Sequence, residues 1–286
     1  MKKKRSLAEI HVAVVLFGIA GLFGKWIALA PSIIVLGRVF FASITLALIL
    51  LISKQTIIFP KKSTYFLLVS LGFLLAVHWT VFFKSIQIST VAVGLLSYSS
   101  FPVFTAFLEP LFFKEKIQIK NLFYAGVCVF GIFLIIPKFD LSDAVFQGVL
   151  WGVAAGFTFS LLTIFNRKLS KQYSSLVIAF YQDFFATLVL LPFFFILRPA
   201  LDLKNIILLC ILGIFCTAGS HTLFIKGMKY IRAQTAAIIS SLEPVYGIVI
   251  AFFFLNEIPT LRTILGGVII LSAAFSVTWS GFRTNR

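Results

Sequence analysis

Ten apolar runs, each close to the length of a bilayer crossing, dominate this chain. They cover roughly residues 9–30, 33–53, 64–83, 90–113, 118–137, 145–166, 174–197, 205–225, 233–255 and 262–281. A helix needs about 20 predominantly apolar residues to span the hydrocarbon of a membrane. The intervening loops are too short for a soluble domain. Composition points the same way: 60% of the 286 residues are hydrophobic and 12% charged, with a mean hydropathy of +1.07. A water-facing globule carries about 25% charged residues. A soluble enzyme, a disordered chain and a coiled coil are therefore excluded, leaving an all-α polytopic membrane protein.

The net charge of +16 is a matter of orientation rather than nucleic-acid binding. With the N-terminus in the cytoplasm, the segments facing inward hold 18 of the 25 Lys and Arg residues and those facing outward hold six. Only Arg38 lies within a span. Inward loops of membrane proteins are enriched in Lys and Arg, so both termini are expected in the cytoplasm of a cell (inner) membrane. The first run, Ile10 to Pro31, is too long for a signal peptide core and reads as an uncleaved helix. Cys128, Cys210 and Cys216 lie in apolar runs without metal-site spacing, so no metal and no cofactor is expected.

The chain repeats itself. At a constant offset of 142, residues 76–115 align without a gap to the second half, with nine of 40 pairs identical. These include Thr80/Thr222, Lys84/Lys226, Ser99/Ser241, Pro102/Pro244 and Glu115/Glu257. A weaker match sets Phe40-Phe41-Ala42 on Phe184-Phe185-Ala186 at offset 144. The expected organisation is two five-helix repeats, residues 1–140 and 141–286. Five is odd, so the second repeat enters the membrane inverted. Inverted repeats recur in secondary transporters, where two similar halves exchange conformations around a midplane site.

Ten spans as five plus five, the motif Ser99-Ser100-Phe101-Pro102 with its partner Ser241-Leu242-Glu243-Pro244, and the turns at Lys114-Glu115 and Asn256-Glu257 carry a resemblance. On these residues the chain resembles the drug/metabolite transporter superfamily, specifically its EamA-like members. The resemblance implies a small-molecule carrier with a central cavity partly lined by helices four and nine, around Pro102 and Pro244. The acid before the second proline has no partner in the first half, where Phe101 stands.

Ionisable residues inside a membrane cost about 2.5–3.5 kcal/mol on insertion scales, so each calls for a reason. Glu243 lies near the middle of helix nine, directly before Pro244. Ser240, Glu243 and Gly247 share one helical face, as do Tyr98, Pro102, Thr105 and Glu109 on helix four. The prolines either kink their helices or free carbonyls toward a cavity. Asp183, with Gln182 and Tyr181, lies mid-helix seven, where a carboxylate binds a cation, carries a coupling proton or pairs with a base. Arg38 either snorkels to the interface or meets a substrate carboxylate or a protein acid. His78 and His221 occupy similar places in the two halves. The candidate substrate-binding residues are thus Glu243, Asp183, Tyr98, Trp79, Ser99, Ser240, Tyr246 and Gln182. Pro102 and Pro244 are candidate hinges, and Arg38, His78 and His221 candidates for an ion pair or coupling. Trp26, Trp151 and Trp279 are expected at the interfaces. Glu109 is expected near Lys114 or water, Glu115 and Glu257 at helix ends or gates, and Gly152 and Gly156 at a close helix crossing.

No nucleophile elbow, phosphate loop or zinc motif is present. The expected function is secondary transport of a small polar organic metabolite by alternating access, proton-coupled or by exchange. An amino acid or a derivative is favoured as substrate. The alternative substrate is a nucleotide-like or sulfonium cofactor metabolite resembling S-adenosylmethionine. A non-transporting scaffold or membrane enzyme is the rival of another class. The expected partners are the substrate and the lipid bilayer, not nucleic acid. Monomer and homodimer stay open.

Overall fold

A computed structural model describes residues 2–55, 58, 61–113, 119–230, 236 and 239–284, with side chains described except at 2, 3, 113, 120, 121 and 277–284. Lys114, Glu115, Lys116 and Arg232 fall outside the described residues, as does the side chain of Trp279. The described residues form helices joined by short turns: α1 Lys2–Trp26, α2 Pro31–Ile52, α3 Lys62–Ile88, α4 Val91–Tyr98, α5 Phe101–Phe113 and α6 Ile119–Ile135. The second half adds α7 Ala144–Ser170, α8 Ser175–Leu197, α9 Leu203–Gly213, a π-helical turn Ile214–Gly219, α10 Ser220–Gly227, α11 Glu243–Leu255 and α12 Leu261–Thr284.

Among the described residues, seven helical stretches are long and apolar enough to cross a membrane. Three shorter apolar helices, Leu122–Ile135, Glu243–Leu255 and Leu261–Ser276, fall on the other three apolar runs. Outward faces remain apolar, as at Phe66, Phe73, Phe123, Phe195 and Phe253, which suits lipid rather than water. The chain is thus an all-α, multi-pass membrane protein.

Polar residues at the turns start and stop the helices. Thr90, Asp143 and Asp202 accept the Val93, Phe146 and Asn205 amides at the N-termini of α4, α7 and α9. Pro31 opens α2, where its missing N–H costs nothing. Arg198 and Asn256, at φ 43° and 54°, end α8 and α11 in the left-handed region.

Two spans break at equivalent places. The chain turns at Ser99–Ser100 between α4 and α5, and again at Ser241–Leu242 before α11, 142 residues on. Both breaks lie just before a proline, Pro102 or Pro244, which cannot donate to the carbonyl four residues back. Ser99 and Ser100 donate back to the Leu95 and Ser97 carbonyls, which fixes the first turn.

The packing follows one exchange rule. Swap α1 with α7, α2 with α8, α3 with α9–α10, α4–α5 with α11, and α6 with α12. The pairs α2·α8, α4·α11 and α6·α12 then map onto themselves, α3·α7 maps onto α1·α10, α3·α8 onto α2·α9, and α4·α7 onto α1·α11, and all of these pairs are in contact. Glycines permit the closest crossings. A Cβ built on Gly72 would meet Phe185 Cβ, Ala186 N and Gln182 O at 2.5–3.1 Å. One on Gly213 would meet Phe41 Cβ, Ala42 N and Arg38 O at 2.6–3.3 Å. Gly152 and Gly156 face Ser97, the Tyr98 carbonyl and Ser100, seating α7 against α4.

Candidate functional site

Where α1, α2, α3, α4, α7, α10 and α11 converge lies an internal cavity of about 40 Å³. That is room for about three waters. Arg38, His78, Trp79, Tyr98, His221 and Glu243 line it, which brings together six of the residues expected from sequence. Phe17, Phe82, Phe159 and Phe224 complete an aromatic wall, with Thr163 and Asn166 as further polar lining.

Arg38 is 1% exposed and does not snorkel. Its Nε donates to Thr217 Oγ1 at 2.9 Å and its Nη2 to the Cys216 carbonyl at 3.2 Å. The π-helical turn makes this possible. Thr217 donates its own hydroxyl proton to the Leu212 carbonyl, five residues back, leaving a lone pair for Arg38. The guanidinium lies 3.8 Å from the Trp79 ring centre, a cation–π contact worth about 2 kcal/mol when desolvated. Arg38 therefore enters the site as a fixed positive charge whose direct partners are neutral, with Asp183 and Glu243 near enough to act on it through space.

Glu243 is 4% exposed at the start of α11. Tyr98 hydrogen-bonds its carboxyl group, and Oε2 has no hydrogen-bond partner. Gly18 sits against the Glu243 main-chain carbonyl and Gly247, so α1 packs closely on the backbone at the start of α11. His78 donates from Nδ1 to the Ala155 carbonyl at 3.0 Å and stacks on Phe159, with 5.3 Å between ring centres.

The remaining candidates lie around the cavity rather than in its lining. Asp183 is fully buried behind His221, with Oδ1 3.6 Å from Nδ1. Gln182 donates to Asn166 Oδ1 at 2.6 Å, reaching the cavity through that residue. Ser99 is turned back on its own helix, and the Ser240 hydroxyl is buried without a hydrogen-bond partner. Tyr246 packs on the core beside Gly18, and Pro102 and Pro244 mark the helix breaks. Glu109 is ion-paired with Arg167 of α7.

Sequence reading missed Phe159, Thr163 and Asn166. The signal was present: with Leu162 they recur at i, i+3, i+4 and i+7, one face of α7. It also missed Thr217 and Cys216, which matter only because a π turn aims them at Arg38.

Ties flank the cavity on both sides. Toward the α3–α4 turn, Lys25 donates to the Ser89 carbonyl at 2.6 Å, Gln87 to the Leu29 carbonyl at 2.8 Å, and the Val91 amide to Glu257 at 2.9 Å. Toward the other side, Lys226 pairs with Glu9 at 2.8 Å, and Arg167 with Glu109. Among the described residues, no group of His, Cys, Asp and Glu could hold a metal ion.

Broken helices converging on a polar site near the middle of a membrane recur in secondary transporters, and similarity to known proteins points the same way. The model of the EamA-like transporter family matches twice, over residues 7–136 and 146–279, and the chain belongs to that family. It is 25% identical over 277 residues to an uncharacterized transporter, YxxF, of Bacillus subtilis (strain 168), covering 95% of this chain and 88% of the relative. It is 29% identical over 248 residues to an S-adenosylmethionine uptake transporter of Rickettsia bellii (strain RML369-C), covering 85% and 82%. A protein of known crystal structure shares the fold over 99% of both chains, with a TM-score of 0.70 and 12% identity.

Proposed function

We propose that this chain is a secondary carrier, not an enzyme, which moves a small polar organic metabolite by alternating access. An amino acid or an amino-acid derivative is the favoured substrate. The observation that carries the reading is Glu243: a buried carboxylate with an unpartnered oxygen, at a broken helix, facing an aromatic cavity. A ligand ammonium would supply the missing donor, and rings such as Trp79 and Tyr98 attract cations on their faces.

In this reading residues 1–140 and 141–286 are inverted repeats in a cell (inner) membrane, with both termini cytoplasmic. The Lys25, Gln87 and Glu257 ties then close the outer side, and the Lys226 and Arg167 pairs close the inner side. A volume of about 40 Å³ is far below the few hundred Å³ of a metabolite pocket, so loading requires the helices to part. Pro102 and Pro244, at matched breaks, serve as the hinges.

A second reading, carriage of an S-adenosylmethionine-like sulfonium, is favoured by the Rickettsia relative, named for S-adenosylmethionine uptake, together with the aromatic wall. Uptake of radiolabelled amino acids and of S-adenosylmethionine into proteoliposomes separates the two. Well-folded protein that moves none of them, while converting one to a product, would favour the enzyme reading instead.

A further inference from the structure

We infer that Asp183 and His221 form a proton-binding pair, set behind the cavity and separate from Glu243, that couples transport to a proton gradient. The coupling rests on the carrier reading; proton binding by the pair does not.

The geometry is that of two groups waiting to share a proton. Asp183 is 0% exposed, and neither carboxyl oxygen has a hydrogen-bond partner. His221 Nδ1 is likewise without one, and the two stand 3.6 Å apart, a few tenths of an ångström beyond a hydrogen bond. An ionised carboxylate buried without a donor is costly, and an N–H between these atoms removes that cost. His221 lines the cavity and Asp183 does not, so the imidazole is the route between cavity water and the acid.

Charge balance asks for that proton. Arg38 from α2 acts on Asp183 and His78 from α3 on His221, while Cys216 of the π turn and Glu243 of α11 lie around Arg38, with Tyr98 of α4 beside Glu243. Arg38 is one fixed positive charge among two acids, Asp183 and Glu243. The cluster is neutral only with one added proton, and an uncompensated buried charge is strongly disfavoured. From α7, Asn166 is engaged with Gln182 rather than with the pair. A sodium ion fits poorly, because hard cations want several oxygens. The carbonyl at the π turn, Cys216, already accepts from Arg38 and Ser220.

The step involves only N–H and O–H bonds. A hydronium ion in the cavity passes its proton to the imidazole and leaves as water, with Nδ1–H directed at the Asp183 carboxylate. When the cavity opens to the other side, the proton returns to water there.

Trp79 gives a substrate-free readout, because its ring centre lies 5.7 Å from that of His221. Purified protein with Trp26, Trp151 and Trp279 changed to Phe reports Trp79 emission alone. The expected result is a single pH-dependent transition in that emission. It is lost in both Asp183→Asn and His221→Gln, and persists at lower pH in Glu243→Gln, which takes one negative charge out of the cluster. A transition that survives both pair variants, or that is lost only in Glu243→Gln, overturns the proposal. In proteoliposomes, one polarity of a one-unit pH gradient should raise S-adenosylmethionine or amino-acid accumulation about tenfold for one coupled proton. Asp183→Asn should remove that response, and an unchanged response overturns the coupling. Wild-type protein that moves no probe would instead count against the carrier reading, while the Trp79 titration still decides the pair.

Discussion

Arg38 and Trp79 meet face on, with the guanidinium carbon 3.8 Å from the ring centre, while two nitrogens of the same guanidinium reach across to the π turn after α9. One planar cation thereby joins three elements and forms part of the cavity wall. Lysine keeps the charge but not the fork. Arg38→Lys should therefore lower stability by about 1.5–3 kcal/mol, the worth of a hydrogen bond to a charged group. Thr217→Val should cost about 1 kcal/mol. Thermal unfolding in detergent measures both, and an Arg38→Lys protein as stable as wild type would contradict this account.

Glu243 is placed for ligand rather than for the fold. Glu243→Gln keeps the shape and the contact with Tyr98, so the protein should remain monodisperse with a near-wild-type melting point. Uptake by proteoliposomes should fall by about tenfold or more, the cost of losing one charge-assisted contact. Tyr98→Phe should reduce uptake less. Full flux in Glu243→Gln would remove this carboxylate from the site.

Gly72 and Gly213 make the same crossing twice, each against a Phe-Ala pair of the opposite half. A methyl at either place collides with backbone, so Gly72→Ala and Gly213→Ala should each cost about 1–3 kcal/mol. The two sites share no contact atoms, so the double variant should show nearly additive losses. Gly126 is the control, since nothing lies within 4 Å of its built Cβ. Gly126→Ala should be neutral or stabilising by up to about 1 kcal/mol.

Glu257 reaches from the α11–α12 turn to the Val91 amide, the first N–H of α4. Acidic groups at a helix N-terminus are worth about 0.3–1 kcal/mol. Glu257→Gln should accordingly speed hydrogen exchange at the start of α4, with little change at α7. Unchanged exchange there would show that Thr90 caps the helix alone.

Much of this architecture is legible in the linear chain. Among the described residues, helices fall on each of the ten apolar runs, because the bilayer requirement writes length and hydropathy into each one. The matched breaks at Ser99–Ser100 and Ser241–Leu242 were signalled by Pro102 and Pro244. Even the weak Phe-Phe-Ala match at offset 144 corresponds to a shared crossing. Partnerships were harder to read. Arg38 was open between an acid, a substrate and the interface, and its direct partners proved to be a threonine hydroxyl and a main-chain carbonyl. Glu109 found Arg167, on a helix some 60 residues away.

The amino-acid sequence alone determined that this chain crosses a membrane repeatedly, because that property depends on local hydropathy, and residues at fixed spacing gave the expectation of two related halves. Only the tertiary structure decided which polar groups share the cavity. Asp183 and His221 are 38 residues apart in the chain, and Arg38 and Thr217 are separated by 179. Their meeting depends on how glycine crossings seat the helices and on one extra residue in the turn at Ile214–Gly219. Neither has a period or a composition to announce it, since a contact between helices is set by packing in three dimensions.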